Sequence, residues 1–247
     1  VIGAEIGSTE IKFIPGNIKN LELVEDVGTA GSIPLILQVL IPVIAISKKQ
    51  LDLKIKGGTN VLWSPTIDYT QHVLQEAYSR MGINFSLELI KRGYYPKGGG
   101  EIKLQVNPSD VKSILFSKRK TKQVKLICSF SKFTNNKIEN KVNQIVKKLI
   151  EANYIVNVEI RSEEALDSGA SLLIYSIDND SIKGIDALYN KKTDEFDLDL
   201  DDFIKNHSID DNLADMLVVP ASLAAGKTIF PVKEITKHLE TNLFVTS

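Results

Sequence analysis

His238, one of only three histidines in this sequence, has a side chain that could act as a nucleophile. Imidazole is a competent nucleophile at neutral pH, because its pKa of about 6.5 leaves one ring nitrogen free of a proton. Asp215, on a helix predicted to precede it, could orient the imidazole or hold a ribose hydroxyl. An ordinary surface histidine is the alternative interpretation of His238, and the other two histidines, His72 and His207, are assigned no role.

Three glycine-rich stretches could bring backbone amides close to phosphate groups: residues 28–32 (GTAGS), 57–59 (GGT) and 92–100 (RGYYPKGGG). Open N–H groups at a helix start bind anions, because the helix dipole adds about half a positive charge there. In the third stretch, Arg92 and Lys97 could hold phosphate oxygens. Glycine is equally typical of tight turns, so a purely structural role is the alternative for each stretch.

Two other positions could contact a ligand. Gln38 is the only polar side chain in a long apolar helix, where a ligand or an internal hydrogen bond must satisfy it. Pro65, together with Trp63, offers a flat apolar face on which a base could stack. Residues of these types also serve simply to fix a loop, so both interpretations stand.

Hydrophobic periodicity and turn residues predict the elements that must position these side chains. Helices are predicted after a cap at Ser32 and over residues 67–80, 138–150 and 212–225. Strands are predicted at residues 3–7, 11–14, 21–24, 51–57, 85–90, 101–106, 124–130, 155–160, 171–176 and 228–232. The order strand, helix, strand, strand predicts an α+β layer with helices on one face of a sheet.

A change of composition near Lys118 predicts a domain boundary. The basic cluster at residues 118–122 opens a stretch rich in Lys and Asn, and the acidic segment 194–202 closes it. We therefore expect a small inserted α/β domain over residues 118–205. The main domain would comprise residues 1–117 and 206–247.

Composition narrows the classes of function. The net charge of −1 argues against a broad basic surface, so any nucleic acid must be held locally by a few cations and backbone amides. Cys128 is the only cysteine, which excludes an intrachain disulfide and a cysteine-based zinc site and favours a cytoplasmic location. The longest apolar run, residues 33–46, is shorter than the roughly 20 residues that span a bilayer, and no signal peptide is apparent. No membrane partner is expected, and the oligomeric state is left open.

Taken in order, these motifs resemble the RNA 3′-terminal phosphate cyclase family over nearly the whole chain. The matching stretches are Gly3-Ala-Glu-Ile-Gly-Ser, Gly28-Thr-Ala-Gly-Ser with Leu37-Gln38, Gly57-Gly58-Thr, Ser64-Pro65-Thr-Ile-Asp68-Tyr, Arg92-Gly-Tyr-Tyr-Pro-Lys-Gly-Gly-Gly, Leu213-Ala-Asp215 and His238-Leu-Glu-Thr241-Asn242. The long glycine-rich signature and the terminal His-x-x-Thr-Asn carry the most specificity.

The resemblance implies a fold of repeated βαβαββ-type units, akin to the enolpyruvate transferases, with a small inserted domain. It implies that His238 attacks the α-phosphorus of ATP, with a divalent metal (Mg or Mn) neutralising the phosphates. AMP then passes to an RNA 3′-phosphate, and the neighbouring 2′-hydroxyl closes a 2′,3′-cyclic phosphate. By position, the ATP-binding residues would be Gln38, Pro65 beside the adenine, Asp215 on the ribose, and the rest of its stretch, Asn212, Leu213, Ala214 and Met216.

The chain departs from the family pattern at two kinds of position. Family members commonly carry a stacking ring where this chain has Asn212 and Gln where it has Met216, so adenine stacking is expected to be weaker or differently arranged. The family also carries a metal-binding Glu and phosphate-binding Arg residues in an N-terminal segment of roughly 60 residues. The numbered sequence begins at Val1 and does not include such a segment. Either these groups belong to a segment outside the numbering, or the chain is inactive.

Two other functions are alternatives to an RNA-modifying enzyme. A non-enzymatic relative acting in ribosome assembly would share the fold without the nucleophile, and the setting of His238 argues against it. An enolpyruvate-type transferase would need a cluster of Arg and Lys for a small anionic metabolite. Arg is sparse in this sequence, so the expected partner is RNA with a 3′-phosphate end.

Overall fold

A computed structural model of the chain describes residues 1–18 and 21–247. Its helices are α1 (Ile33–Ile46), α2 (Ile67–Tyr69), α3 (Gln75–Arg80), α4 (Asn135–Glu151), α5 (Leu200–Lys205), α6 (Asp211–Leu223) and α7 (Lys237–Thr246), and a π-helical turn (Thr70–Leu74) joins α2 to α3. Its strands are β1 (Glu22–Asp26), β2 (Leu51–Gly57), β3 (Phe85–Lys91), β4 (Gly100–Val106), β5 (Gln123–Ser131), β6 (Ile155–Ser162), β7 (Gly169–Ile177), β8 (Ile182–Asn190) and β9 (Glu195–Phe196).

The first sheet and its helices form one βαβαββ unit. The strand order is β1-β2-β4-β3, with β1 parallel to β2 and the other pairs antiparallel. In β2 the apolar side chains Leu51, Leu53 and Ile55 are buried, because alternate residues of a strand point to the same face. Leu37 and Ile41 of α1 pack into the same core, one helical turn apart. The predicted α+β fold with units of this type is therefore present.

The second sheet has the order β6-β5-β7-β8-β9, and it has its own apolar core against α4. Helix α4 buries Ile138, Val142 and Leu149 and leaves its lysines outside. The chain enters this region at Arg119 and leaves it at His207, and the Arg119 N–H donates to the His207 carbonyl at 2.7 Å. The entry and exit segments are thus held side by side.

Some strand predictions are wrong. Residues 3–7 and 11–14 form no strand and are tied only by one bridge between Ile2 and Lys12. Residues 228–232 contribute a single bridge from Ile229 to Leu115, because Pro231 has no N–H with which to extend the ladder. Strand β8 has no counterpart among the predicted strands, because it contains Lys183 and Gly184 and does not look like a buried strand in the sequence.

A buried arginine connects the two sheets. Arg92 follows β3, is 1% exposed, and donates through its two terminal nitrogens to both carboxylate oxygens of Asp68 on α2, at 2.6 and 2.8 Å. Its Nε donates to Glu163, directly after β6. Burial disfavours the ionised form of Asp68, yet the charges of Arg92 and Arg161 bring the pKa of that carboxyl below its ordinary value.

Asp210 performs a similar task at the start of α6. Its carboxylate accepts the N–H of Leu213 at 3.0 Å, which caps the helix, and the hydroxyl of Tyr69 at 2.5 Å. It also accepts the N–H of Gly184 in β8 at 2.9 Å. One side chain therefore fixes α6 against α2 and the second sheet.

The described residues contain no helix with the length and apolar character required to cross a lipid bilayer.

We predict that Asp68→Ala lowers the free energy of unfolding by about 3 to 5 kcal/mol, because it leaves a buried guanidinium without its bidentate partner. Chemical denaturation at neutral pH measures the change. The difference from the wild type should narrow as the pH falls below about 4, since the lowered pKa of Asp68 makes its contribution present above that range and lost in acid.

The matched control is Glu88→Ala, which removes an exposed partner of Lys103. It should cost less than about 1 kcal/mol. Equal losses in the two variants would contradict a special role for the Arg92–Asp68 pair.

Candidate functional site

Three glycine-rich loops meet at one end of the first sheet. The Gly58 N–H donates to the Gly31 carbonyl at 2.8 Å, and the Thr59 N–H donates to the Gly93 carbonyl at 2.9 Å. A Cβ atom on Gly58 would lie 2.4 Å from the carbonyl oxygen of Ala30, so only glycine permits this approach. A Cβ atom on Gly98 would lie 2.8 Å from the Cα atom of Ala30, and Gly98 has a φ of +65°, which glycine adopts without strain.

The donors at the start of α1 are already used within the fold. The Ile33 N–H donates to the Gly58 carbonyl at 2.8 Å, and the Leu35 N–H donates to the Ser32 hydroxyl at 3.2 Å. Pro34 has no N–H. Of the two interpretations of residues 28–32, the structure therefore favours the structural turn over a phosphate site built on the helix N-terminus.

Arg92 and Lys97, which the sequence left as possible phosphate ligands, have different environments. The guanidinium of Arg92 is occupied by Asp68 and Glu163 and lies inside the protein. Lys97 is exposed at the tip of the same loop, and its backbone N–H donates to Asp167 at 2.8 Å. Only Lys97 of this pair presents its charge to solvent.

Gln38 and Pro65 lie on the elements that flank these loops. Gln38 is half-buried in the middle of α1. Pro65 is buried and is fixed by its neighbours: the hydroxyls of Ser64 and Ser32 lie 2.5 Å apart, and the Thr66 N–H donates to Asp186 at 2.5 Å. The loop that carries Pro65 is therefore tied to the start of α1 and to β8.

The predicted nucleotide-binding stretch of residues 212–216 is the first part of α6. Leu213, Ala214 and Met216 point into the core, whereas Asn212 is exposed and Asp215 is half-buried. Only Asn212 and Asp215 can present side chains to a ligand, so any contribution of the other three is through their backbone or their packing.

Asp215 is brought close to His238 by the packing of α6 against α7. Burial raises the pKa of the Asp215 carboxyl, and the charge of His238 opposes that rise. Among the described residues, Oδ1 of Asp215 is buried without a hydrogen-bond partner. A buried, unpaired carboxylate oxygen costs free energy, so this atom is suited to accept a hydrogen bond from a ligand or from the imidazole. His238 itself is exposed near the start of α7.

The other histidines have packing roles. The ring of His72 stacks on Tyr175 with 5.4 Å between centroids, beside a separate cleft of about 480 Å³. His207 is bonded through Nδ1 to the Arg119 carbonyl.

A divalent metal is the other group that the resemblance implies. Within residues 1–18 and 21–247, no group of three or more His, Cys, Asp or Glu side chains is arranged to hold a metal ion. The described residues therefore do not fit a resident metal site, and no chemical step is assigned to one.

Comparison with known proteins gives one consistent result. A family model described as RNA 3′-terminal phosphate cyclase matches residues 1–247. The chain is similar to an RNA 3′-terminal phosphate cyclase of Methanosarcina barkeri, with 36% identity over 97% of this chain and 73% of the relative. It is 33% identical to the protein of that name from Methanococcoides burtonii, over 100% of this chain and 75% of the relative. It is 34% identical to the protein of that name from Pyrococcus furiosus, over 99% of this chain and 74% of the relative.

We predict that Asp215→Asn increases the free energy of unfolding at pH 7 by less than about 1 kcal/mol after allowance for solvent screening. The reason is that the pKa of Asp215 is raised in the folded protein, so its ionised carboxylate lowers the free energy of unfolding at pH 7, and the neutral amide removes that cost. The gain should disappear near pH 3, where the wild-type carboxyl is protonated in both states. Thermal denaturation at the two pH values measures it.

Asp211→Asn is the control, since Asp211 is exposed in the same helix. A stability gain of the same size in Asp211→Asn would show that the effect is one of helix charge and not of the buried Asp215 oxygen.

Proposed function

This chain belongs to the RNA 3′-terminal phosphate cyclase family, and from that premise we propose that it converts an RNA 3′-phosphate to a 2′,3′-cyclic phosphate at the expense of ATP. The observation that carries the proposal is the pair formed by His238 on α7 and the unpartnered carboxylate oxygen of Asp215 on α6.

In the first step, a ring nitrogen of His238 attacks the α-phosphorus of ATP. A nitrogen–phosphorus bond forms, the bond from that phosphorus to the bridging oxygen breaks, and pyrophosphate leaves. The exposure of His238 supports this role, because an imidazole that lies on the surface can be reached by a nucleotide.

In the second step, an oxygen of the RNA 3′-phosphate attacks the phosphorus held by His238. The nitrogen–phosphorus bond breaks, so the histidine is regenerated and the RNA carries the AMP. In the third step, the oxygen of the neighbouring 2′-hydroxyl attacks the phosphorus of the RNA 3′-phosphate, and the bond from that phosphorus to the oxygen of AMP breaks. AMP leaves and the hydroxyl proton passes to solvent. The last step is intramolecular, which raises its rate because nucleophile and electrophile share one ribose.

The other predicted residues would bind the nucleotide. Oδ1 of Asp215 would accept a hydrogen bond from a ribose hydroxyl, and that bond would supply the partner that the atom lacks. Gln38, half-buried on α1, would contribute an amide to the same nucleotide, and Asn212 is the exposed polar side chain at the start of α6. Pro65 would lie beside the adenine as part of a fixed loop.

A divalent cation would neutralise the ATP phosphates when bound. We assign no described residue as its ligand. We also propose a cytoplasmic location, because the single cysteine, Cys128, is a free thiol, and proteins without disulfides are typical of reducing compartments.

The test is incubation of the full-length protein with ATP labelled at the α-phosphate. We predict an acid-labile adduct that His238→Ala abolishes, because a phosphoramidate bond to histidine is broken by acid. RNA with a labelled 3′-phosphate should become resistant to phosphatase in the presence of the wild type only.

His207→Asn is the matched control, since the amide can keep the bond to Arg119 and the residue lies away from Asp215. It should form the adduct in full. A full-length protein that forms no adduct would contradict the proposal and favour the non-enzymatic alternative. An adduct that survives in His238→Ala would contradict the role of His238 and assign the nucleophile to another residue.

A further inference from the structure

Two aromatic side chains project into solvent from neighbouring glycine-rich loops. Trp63 is 94% exposed and Tyr95 is 73% exposed. Single exposed apolar residues are common on proteins. These two differ from the others because both are large rings carried on loops that are rigidly held.

The backbone of Trp63 is in the left-handed region, with a φ of +59°. Bulky residues rarely adopt this conformation, and it persists only where the surrounding structure enforces it. Here the enforcement comes from the next residues: the Ser64 hydroxyl is bonded to Ser32, and the Thr66 N–H donates to Asp186. The loop therefore holds a tryptophan outward at a position where glycine would be less strained.

Tyr95 is held by the same framework. The N–H groups of Thr59 and Asn60 both donate to the Gly93 carbonyl, at 2.9 and 3.1 Å. The Gly98 N–H donates to the Tyr94 carbonyl at 2.8 Å, which closes the turn that carries Tyr95. The loops bearing the two rings thus share backbone hydrogen bonds and form one rigid unit.

Lysines surround this unit. Lys97 is exposed two residues after Tyr95, and its loop is bonded to residues 166–168 through Asp167. Two further ammonium groups reach the same segment. That of Lys132 donates to the Leu166 carbonyl, and that of Lys191 donates to the Ser168 hydroxyl at 2.7 Å. Three separate elements therefore place a lysine at the edge of the aromatic loops.

We propose that Trp63 and Tyr95 form a stacking platform for unpaired bases of the RNA, with Lys97, Lys132 and Lys191 holding the adjoining phosphates; this rests on the proposed function. Exposed rings beside cations are typical of single-strand binding, because every base has a face that can stack. Local contacts of this kind are also what a protein of net charge −1 requires. Stacking discriminates weakly among bases, so binding should tolerate changes of sequence near the RNA end.

Fluorescence offers a direct test, since Trp63 is the only tryptophan of the 247 residues. Titration of the full-length protein with a 3′-phosphorylated oligoribonucleotide should quench tryptophan emission. The difference in emission between the wild type and Trp63→Phe isolates the signal of this residue. Quenching by RNA should persist in His238→Ala.

Affinity for a dye-labelled oligoribonucleotide, measured by anisotropy, should fall roughly 5- to 100-fold in Trp63→Gly. Glycine suits the φ of this position, so loss of binding cannot be ascribed to backbone strain. Tyr95→Ala should weaken binding in the same range. Leu62→Ala is the matched control, because Leu62 is an exposed aliphatic residue of the same loop, and it should bind as the wild type does.

Formation of the histidine adduct without RNA decides which ligand the ring serves. If Trp63→Gly forms as much adduct as the wild type, the result supports an RNA platform. Loss of the adduct in this variant, or quenching of tryptophan emission by ATP alone, would assign the ring to ATP and overturn the RNA platform. Unchanged RNA affinity in both aromatic variants would also overturn it. If RNA quenches the emission of Trp63 but the wild type forms no adduct, the stacking platform stands and the proposed enzymatic activity fails.

Discussion

The arrangement of the whole site depends on the buried guanidinium of Arg92. A charge 1% exposed is tolerated only when it is paired and hydrogen-bonded, and Arg92 has its partners on two different layers, Asp68 on the helix over the first sheet and Glu163 after a strand of the second. Because guanidinium geometry is planar and directional, these partners fix orientation as well as distance. The glycine-rich loop that begins at Arg92 is therefore anchored at the point where the two sheets meet.

From that anchor the other loops follow by backbone contact. Thr59 and Asn60 bond to the Gly93 carbonyl, and Gly58 bonds in turn to Gly31 and to the start of α1. A side chain at Gly58, Gly93 or Gly98 would collide with the backbone of a neighbouring loop, which explains the glycines at these positions of the second and third loops. The glycines act here mainly to let backbones meet. The phosphate-binding role that such loops suggest is not needed to account for them, since the N–H groups of Ile33 and Gly58 already have partners.

Much of the fold could be predicted from the sequence because its elements are locally regular. The alternation in β2 and the helical spacing in α4 each require one buried face, and both were located correctly. The predictions failed where long-range contacts decide. In β8, Lys183 and Gly184 are buried because Asn206 and Asp210, distant in sequence, satisfy their polar groups. Residues 228–232 look like a strand but have only one bridging neighbour.

The site was predictable only in part for the same reason. The motifs identify His238, Asp215, Gln38 and Pro65 as candidates, but exposure depends on packing that no local pattern shows. Leu213 and Met216 point inward, and Arg92 proves to be an internal ion-pair partner. Neither the half-burial of Asp186 and Asp210 nor the exposure of Tyr95 had a signal in the sequence. The domain boundaries at residues 118 and 205 stay a proposal, although Leu173 and Ile182 of the second sheet pack into the core of the first.

Asp215 and Trp63 each break a local rule of stability, and both lie on elements that neighbouring residues hold in place. Asp215 keeps a buried oxygen unpaired, and Trp63 keeps a bulky ring outward on a left-handed backbone. Strain and unpaired polar groups persist when the surrounding structure enforces them, and they occur preferentially where a ligand binds. Here Asp210 fixes the helix that carries Asp215, and the Ser32–Ser64 bond fixes the loop that carries Trp63. Since neither residue stabilises the free protein, a bound nucleotide or RNA base is the partner that would account for it.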